Sequence, residues 1–267
     1  MKLGFIGCGN IAGAIINACL ASGYAGADEI IASEPYEDAR ERAKNTYAIH
    51  VTDSNSYAAS QAKIIFICVK PQALEEVLDE IGEVLEDHQL LITVVAGKPL
   101  SFYEQRLGFD NHIKIVRLMP NTPALIGMGM SAVCANSLVS DNDLNEILAL
   151  AGTFGSAEIV PESIFDTVTA ISASSPAYVF IMIEAMADAA VAGGMPRDKA
   201  YLFAAKAVSG SASLVLATGR HPAELKDMVC SPSGTTIEAL KVLEEKGFRS
   251  ALIEACEAAR KRAAEIV

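Results

Sequence analysis

The sequence has no tryptophan, only four histidines, and no two cysteines in CxxC spacing. The histidines (His50, His88, His112 and His221) are scattered, as are the six cysteines, Cys8, Cys19, Cys68, Cys134, Cys230 and Cys256. Ligands so dispersed do not suggest a zinc site or any other metal site, and thiols without regular spacing do not suggest a disulfide framework. Free thiols in strands and helices fit a reducing, cytoplasmic compartment. Basic charge is scarce too: 21 Lys and Arg stand against 33 Asp and Glu, a net charge of -12. Binding nucleic acid by counterion release needs clustered cations, so no nucleic-acid partner is expected. The dense basic run Arg260-Lys261-Arg262 sits near the end of a helical stretch, where cations complement the helix dipole. The uncharged run between Arg117 and Asp141 contains Pro120, Asn121, Pro123, Gly127, Gly129 and Asn136, which is too much punctuation for a membrane span. The opening MKLGFIGCGN is interrupted by glycine and asparagine too early for a signal sequence. A soluble chain with no membrane contact is the expectation.

What is present is a large apolar content. The 267 residues are 51% hydrophobic and 20% charged, enough to build a real core. Short apolar runs at 3–7, 29–33, 64–69, 90–96 and 113–119 alternate with helical patterns such as 11–20, 71–85 and 100–107. Continuous apolar strands separated by helices predict a parallel sheet covered on both faces. A strand at 131–135, a helix at 141–154 and a strand at 157–160 follow. After Pro161 the pattern changes. From residue 163 to 267 only helical periodicity remains, punctuated by Gly193-Gly194, Gly219, Pro232-Ser233-Gly234 and Gly247. The reading is therefore α/β: a Rossmann-type parallel-sheet domain over 1–161, then an all-helical domain over 162–267. The helices are rich in Ala, Met and Ile on more than one face, so burial against a second subunit is expected.

The first strand runs into Gly7-Cys8-Gly9-Asn10-Ile11-Ala12, a GxGxxA turn that opens a helix. Gly7 makes the tight turn and Gly9 lets the backbone approach a pyrophosphate. Ala12 permits close packing, and the amides at Asn10 and Ile11 begin the helix N-terminus that receives the phosphates. The second strand ends at Ser33-Glu34. An acid there binds the adenosine ribose 2′-hydroxyl and repels a 2′-phosphate, so Glu34 favours NADH over NADPH. The alternative is that Glu34 faces solvent while Ser33 or a basic neighbour meets the phosphate. Ligands of such a fold lie beyond the carboxyl ends of the strands, which places Val69-Lys70-Pro71, Ala96-Gly97 and Asn121 on the nicotinamide side. In the helical half, Ser231-Pro232-Ser233-Gly234-Thr235-Thr236-Ile237-Glu238 is a hydroxyl-rich turn, with Thr235 and Glu238 in the spacing of a capping box. Either it caps a helix and does no more, or it holds a carboxylate on free amides and hydroxyls.

These segments, together with MPNTPAL at 119–125, SSPAYVF at 174–180 and GGMPRDKAY at 193–201, resemble pyrroline-5-carboxylate reductase along nearly the whole chain. The resemblance implies NADPH- or NADH-dependent reduction of 1-pyrroline-5-carboxylate to L-proline by homodimers joined through the helical domain, in some cases further assembled to decamers. It also implies that Ser231, Gly234 and Thr235 hold the substrate carboxylate, that Thr236 lies against the ring nitrogen, and that Asn55 stands near the adenosine ribose. Lys70 and Thr236 become the catalytic candidates. Three positions depart from the family pattern: Ala173 and Ser233 stand where glycine is usual, and Glu34 where NADPH users carry a small neutral residue. Glu184 and Asp188 share a helix face but lack converging ligands for a metal. Two rivals remain: a reductase of another cyclic imine or hydroxy acid, and a dinucleotide-binding module without turnover. Hydroxy-acid enzymes need a catalytic lysine in the helical domain, where Lys199 and Lys206 look structural. A mere binding module has no use for the 231–236 turn.

Overall fold

The computed structural model describes residues 1–108 and 112–265. Residues 266 and 267, the end of the expected helical domain, lie outside the described residues. Strands β1 (Leu3–Ile6), β2 (Ile30–Ser33), β3 (His50–Thr52), β4 (Ile64–Ile67), β5 (Leu90–Thr93), β6 (Lys114–Met119), β7 (Gly129–Ala135) and β8 (Gly155–Ile159) form one sheet in the order 3-2-1-4-5-6-7-8. Helices α1 (Asn10–Ser22), α2 (Glu37–Tyr47), α3 (Asn55–Gln61), α4 (Leu74–Gly82), α5 (Leu100–Leu107) and α6 (Asp141–Gly152) connect them. Neighbouring strands are parallel except β6 and β7, which pair antiparallel. The parallel-sheet expectation is corrected at that one pair. A strand buried on both faces reads as an apolar run whichever way it points, so direction is not written in it.

The chain winds outward from β1 to β3 and then returns to place β4 on the other side of β1. That reversal is a switch point, where the connections on either side part and leave a crevice at the carboxyl ends. Alternation along the strands feeds two cores. Leu3 and Phe5 pack with Ile15, Phe66 and Phe154 on one face, while Ile6 packs with Ile65, Leu78, Tyr103 and Ile115 on the other. Phe5 and Phe66 are register partners whose rings stack with centroids 4.8 Å apart. Among the described residues one charge is buried: Arg117 donates to Glu162 at 2.6 Å and lies over the Phe165 ring. The same Glu162 oxygen accepts the Leu100 amide at 2.7 Å, so the acid also caps α5. Arg117 Nε is buried without a partner, which marks this pair as held by geometry rather than by full satisfaction.

The chain divides into two compact units. One takes Met1–Ser174 with the segment from Ala259, and the other takes Ser175–Ala258. Beyond β8 come α7 (Phe165–Val168), a π-helical turn (Thr169–Ala173), α8 (Ser175–Ala192), α9 (Arg197–Thr218), α10 (Pro222–Met228), α11 (Thr235–Glu245) and α12 (Phe248–Glu265). Helices α8 and α9 form a hairpin closed by an Asp188–Arg197 ion pair and a small core of Ala187, Ala200 and Ala204. Little else in the second unit is buried. Leu202 and Phe203 remain 58% and 63% exposed, and Leu216 85%. By length and composition alone, Glu162–Ala192 and Arg197–Thr218, both of mean hydropathy 1.4, would pass for membrane spans.

Candidate functional site

The residues placed by the sequence on the cofactor side end a strand, follow one, or open the helix or turn after it. Gly7 follows β1 with φ at +89°, and a Cβ there would lie 3.0 Å from the Cys68 carbonyl and 3.1 Å from Val69 Cγ1. Only glycine fits against β4 in that conformation. Gly9 caps α1 without a side-chain acceptor, no acid lies in the first helical turn, and a Cβ on Gly9 would meet open space. Asn10 and Ile11 are the first residues of that helix. The α1 amides are thus neither capped by a side chain nor crowded, which fits a dinucleotide pyrophosphate.

The adenosine end is wired through side chains. Ser33 is fully buried, and its hydroxyl donates to Asn55 Oδ1 at 2.8 Å. Asn55 Nδ2 in turn donates to Glu80 at 2.5 Å. The Ser33 hydroxyl thereby orients the Asn55 amide. Glu34 is half-buried, and its carboxylate accepts the Cys8 amide at 3.2 Å and the Tyr36 amide at 3.4 Å. A basic neighbour is present. Arg40 Nη1 donates to the carbonyls of Glu34 and Pro35, both at 2.8 Å. Glu80 and Arg40 escaped the sequence reading because their partners are fixed by the β2–α2 and α3–α4 geometry, for which no local pattern exists.

On the other side of the crevice Val69 is half-buried, while Lys70 and Pro71 are exposed at the start of a 3₁₀ turn. The Lys70 ammonium makes no ion pair with a described residue, so its charge is available to an anion. Ala96 and Gly97 follow β5, where the Thr93 hydroxyl takes the Val95 amide at 3.2 Å and meets the Tyr103 hydroxyl at 2.7 Å. Asn121 is committed to the frame: its Oδ1 accepts the Met130 amide at 2.9 Å and its Nδ2 reaches Ser172 in the π-turn at 3.2 Å. What Asn121 offers the rim is a fixed backbone course. Burial, and then the Glu34 charge, push the Cys8 thiol up to about 11, while burial and Cys8 raise Cys68. Both stay neutral near pH 7 and add no negative charge where phosphates would lie.

In the second unit the hydroxyl-rich turn follows α10, whose N-terminus is capped by His221 Nδ1 accepting the Ala223 amide. Ser231 accepts the Gly234 amide at 3.0 Å, and Ser233 takes φ +55°. A Cβ on Gly234 would fall 2.2 Å from Ser231 Oγ, so a side chain there would displace that hydroxyl. The expected capping box is not formed. Gly234 is the N-cap of α11, Thr235 is already helical, and Glu238 pairs with Lys241 at 3.0 Å. Thr235 stands one residue too late to cap, and the first amides of α11 remain without a side-chain acceptor. Ser231 and Thr235 are exposed, and Thr236 is half-buried. Exposed hydroxyls beside amides without a side-chain acceptor have the chemistry that a small anion needs. Among the described residues no three His, Cys, Asp or Glu side chains converge as metal ligands.

The class these features define is an NAD(P)-binding parallel-sheet domain followed by an apolar helical domain. Residues 2–97 match the family described as NADP oxidoreductase, coenzyme F420-dependent, and residues 162–266 match the pyrroline-5-carboxylate reductase dimerisation family. Pyrroline-5-carboxylate reductase of Escherichia coli is 50% identical over 254 residues, covering 95% of this chain and 94% of its own. That of Synechocystis is 41% identical over 266 residues, 100% of this chain and 98% of its own. Among solved structures, Plasmodium falciparum pyrroline carboxylate reductase with NADP bound superposes at a TM-score of 0.91. It is 30% identical and covers 100% of this chain and 98% of that one. The pyrroline-5-carboxylate reductase of Coxiella burnetii gives 0.90 at 32% identity, covering 99% and 98%. The chain belongs to the pyrroline-5-carboxylate reductase family.

Proposed function

We propose that the protein reduces 1-pyrroline-5-carboxylate to L-proline with NAD(P)H, the last step of proline biosynthesis. The observation that carries this is the extent of the kinship: half of the residues are shared with the Escherichia coli enzyme over 95% of the chain, through both units. It favours this activity over another reductase or a binding module without turnover. In this reading residues 1–161 bind the cofactor and 162–267 bind substrate and dimerise. Gly7, Gly9, Asn10 and Ile11 hold the pyrophosphate, and Ser33, Glu34 and Asn55 the adenosine ribose. Val69, Lys70, Pro71, Ala96, Gly97 and Asn121 line the nicotinamide side. Glu34, with its carboxylate already in the glycine-rich turn, inclines the preference to NADH.

When bound, the reduced nicotinamide supplies a hydride for the C=N carbon of the imine. The chain's own contribution is binding and orientation. Ser231, Gly234 and Thr235 grip the substrate carboxylate with amides and hydroxyls, and Lys70 is the catalytic candidate on the nicotinamide side. The Thr236 hydroxyl lies against the ring nitrogen, orienting it while water provides the proton. A homodimer through the helical domain covers the apolar faces of α8 and α9, and its further assembly to a decamer belongs to the same reading, as does a soluble cytoplasmic enzyme. An assay of both reduced cofactors against pyrroline-5-carboxylate tests it: loss of nicotinamide absorbance with stoichiometric proline is expected. Cofactor binding without proline formation would leave only a binding module.

A further inference from the structure

The chain carries 33 acidic residues against 21 basic ones, so an oriented cation without an acid beside it is out of the ordinary. Arg106, Arg117, Arg197, Arg220, Arg249 and Arg262 each meet a carboxylate. Arg40 does not. It is half-buried on α2, and Glu34, Glu37 and Asp38 are close in sequence, yet among the described residues no carboxylate lies within ion-pair range of it. Its Nη1 is spent on two backbone carbonyls, those of Glu34 and Pro35 at 2.8 Å each. Two acceptors on one nitrogen fix where the guanidinium stands, and Nε and Nη2 are left for something else. Arg42, exposed on the same helix, has no such anchor.

Glu34 serves two directions at once. Its carboxylate takes the Cys8 amide of the glycine-rich turn at 3.2 Å, and its carbonyl takes Arg40. A ribose 2′-hydroxyl can donate to that carboxylate. A 2′-phosphate is repelled by it unless a cation stands near, and a guanidinium with two free N–H groups binds phosphate in a fork. We propose that Arg40 is the residue through which this chain admits the 2′-phosphate of NADPH, in opposition to Glu34, so that the β2–α2 turn sets the ratio of the two cofactors. The proposal rests on the dinucleotide-binding reading above and deepens it.

Calorimetric titration of the full-length chain with NADP⁺ and NAD⁺, without substrate, tests it by binding alone. Arg40→Gln keeps an amide for the two carbonyls and removes the charge. It is expected to weaken NADP⁺ by about tenfold or more while changing NAD⁺ by less than about twofold. Glu34→Gln is expected to act with the opposite sign, tightening NADP⁺ by roughly severalfold. Equal weakening of both nucleotides by Arg40→Gln would mean that the arginine only braces the turn. An unchanged ratio in a chain that binds both would sink this proposal and leave the dinucleotide site standing. A wild-type chain that binds neither would overturn both.

Discussion

In residues 1–174 the sheet is apolar on both faces and both faces are covered: Phe5, Ile65, Phe66 and Phe154 are fully buried. In residues 175–258 the buried hydrophobic core is three alanines, Ala187, Ala200 and Ala204, while Phe180, Ile181, Leu202, Phe203 and Leu216 stand exposed. The two regions have similar apolar appetite and opposite outcomes. The first meets its burial requirement within one chain, as a doubly wound fold does by laying helices on each face. The second cannot, because a helical hairpin has one inside and these helices are apolar on more than one side. Exposed apolar surface of this size belongs to an interface, and the dimerisation family that matches residues 162–266 says what kind. The lesson is that residues 1–174 cover their apolar surface within one chain, whereas the helices of residues 175–258 leave theirs for a partner.

Breaking the second half should therefore leave the first working. Replacing Leu202 and Phe203 together by Asp removes about 1.5–3 kcal/mol of burial for each side chain and adds charge to the interface. The dimer dissociation constant should rise by about three orders of magnitude or more. Sedimentation should show a monomer without turnover, while NADP⁺ titration remains near wild type. If turnover persists in the monomer, the substrate half does not need its partner.

Thr236→Ala sharpens the contrast within an intact dimer. On the proposed role of its hydroxyl in orienting the ring nitrogen, this variant should lower kcat with pyrroline-5-carboxylate by about tenfold to a hundredfold, with cofactor affinity unchanged. An equal fall in cofactor affinity would place Thr236 in a structural role. The smallest effect is expected from Ser233→Gly. Ser233 holds φ +55°, where a side chain costs about 1 kcal/mol, so glycine should relieve the turn. A rise in Tm of a few degrees or less is the prediction. A fall would mean that the serine side chain has a stabilising partner in the assembled protein.

Much of the fold was legible because β1, β2, β4 and β5 are continuous apolar runs and α1 follows a GxGxxA turn. The strand ends were not. The runs at 64–69 and 90–96 stay apolar past Ile67 and Thr93, where β4 and β5 stop, because those residues still pack on the cores: Val95 is buried, and Cys68, Val69, Val94 and Ala96 lie against them. β3 escaped: His50–Thr52 is three residues long at the sheet edge, too short to show a period. At the site, residue identities were readable but their wiring was not. The chain Ser33–Asn55–Glu80 joins three elements, and Thr235 advertises a cap that Gly234 occupies. Backbone dihedrals decide which residue caps a helix, and a T-x-x-E spacing does not contain them.

The partner-dependence of the helical half is tested most directly by the mass of the full-length chain in solution, measured by sedimentation velocity at micromolar protein. The account predicts an even multiple of the 28.1 kDa chain, two copies or an assembly of dimers, with no monomer boundary. A stable, fully active species of 28.1 kDa would contradict it.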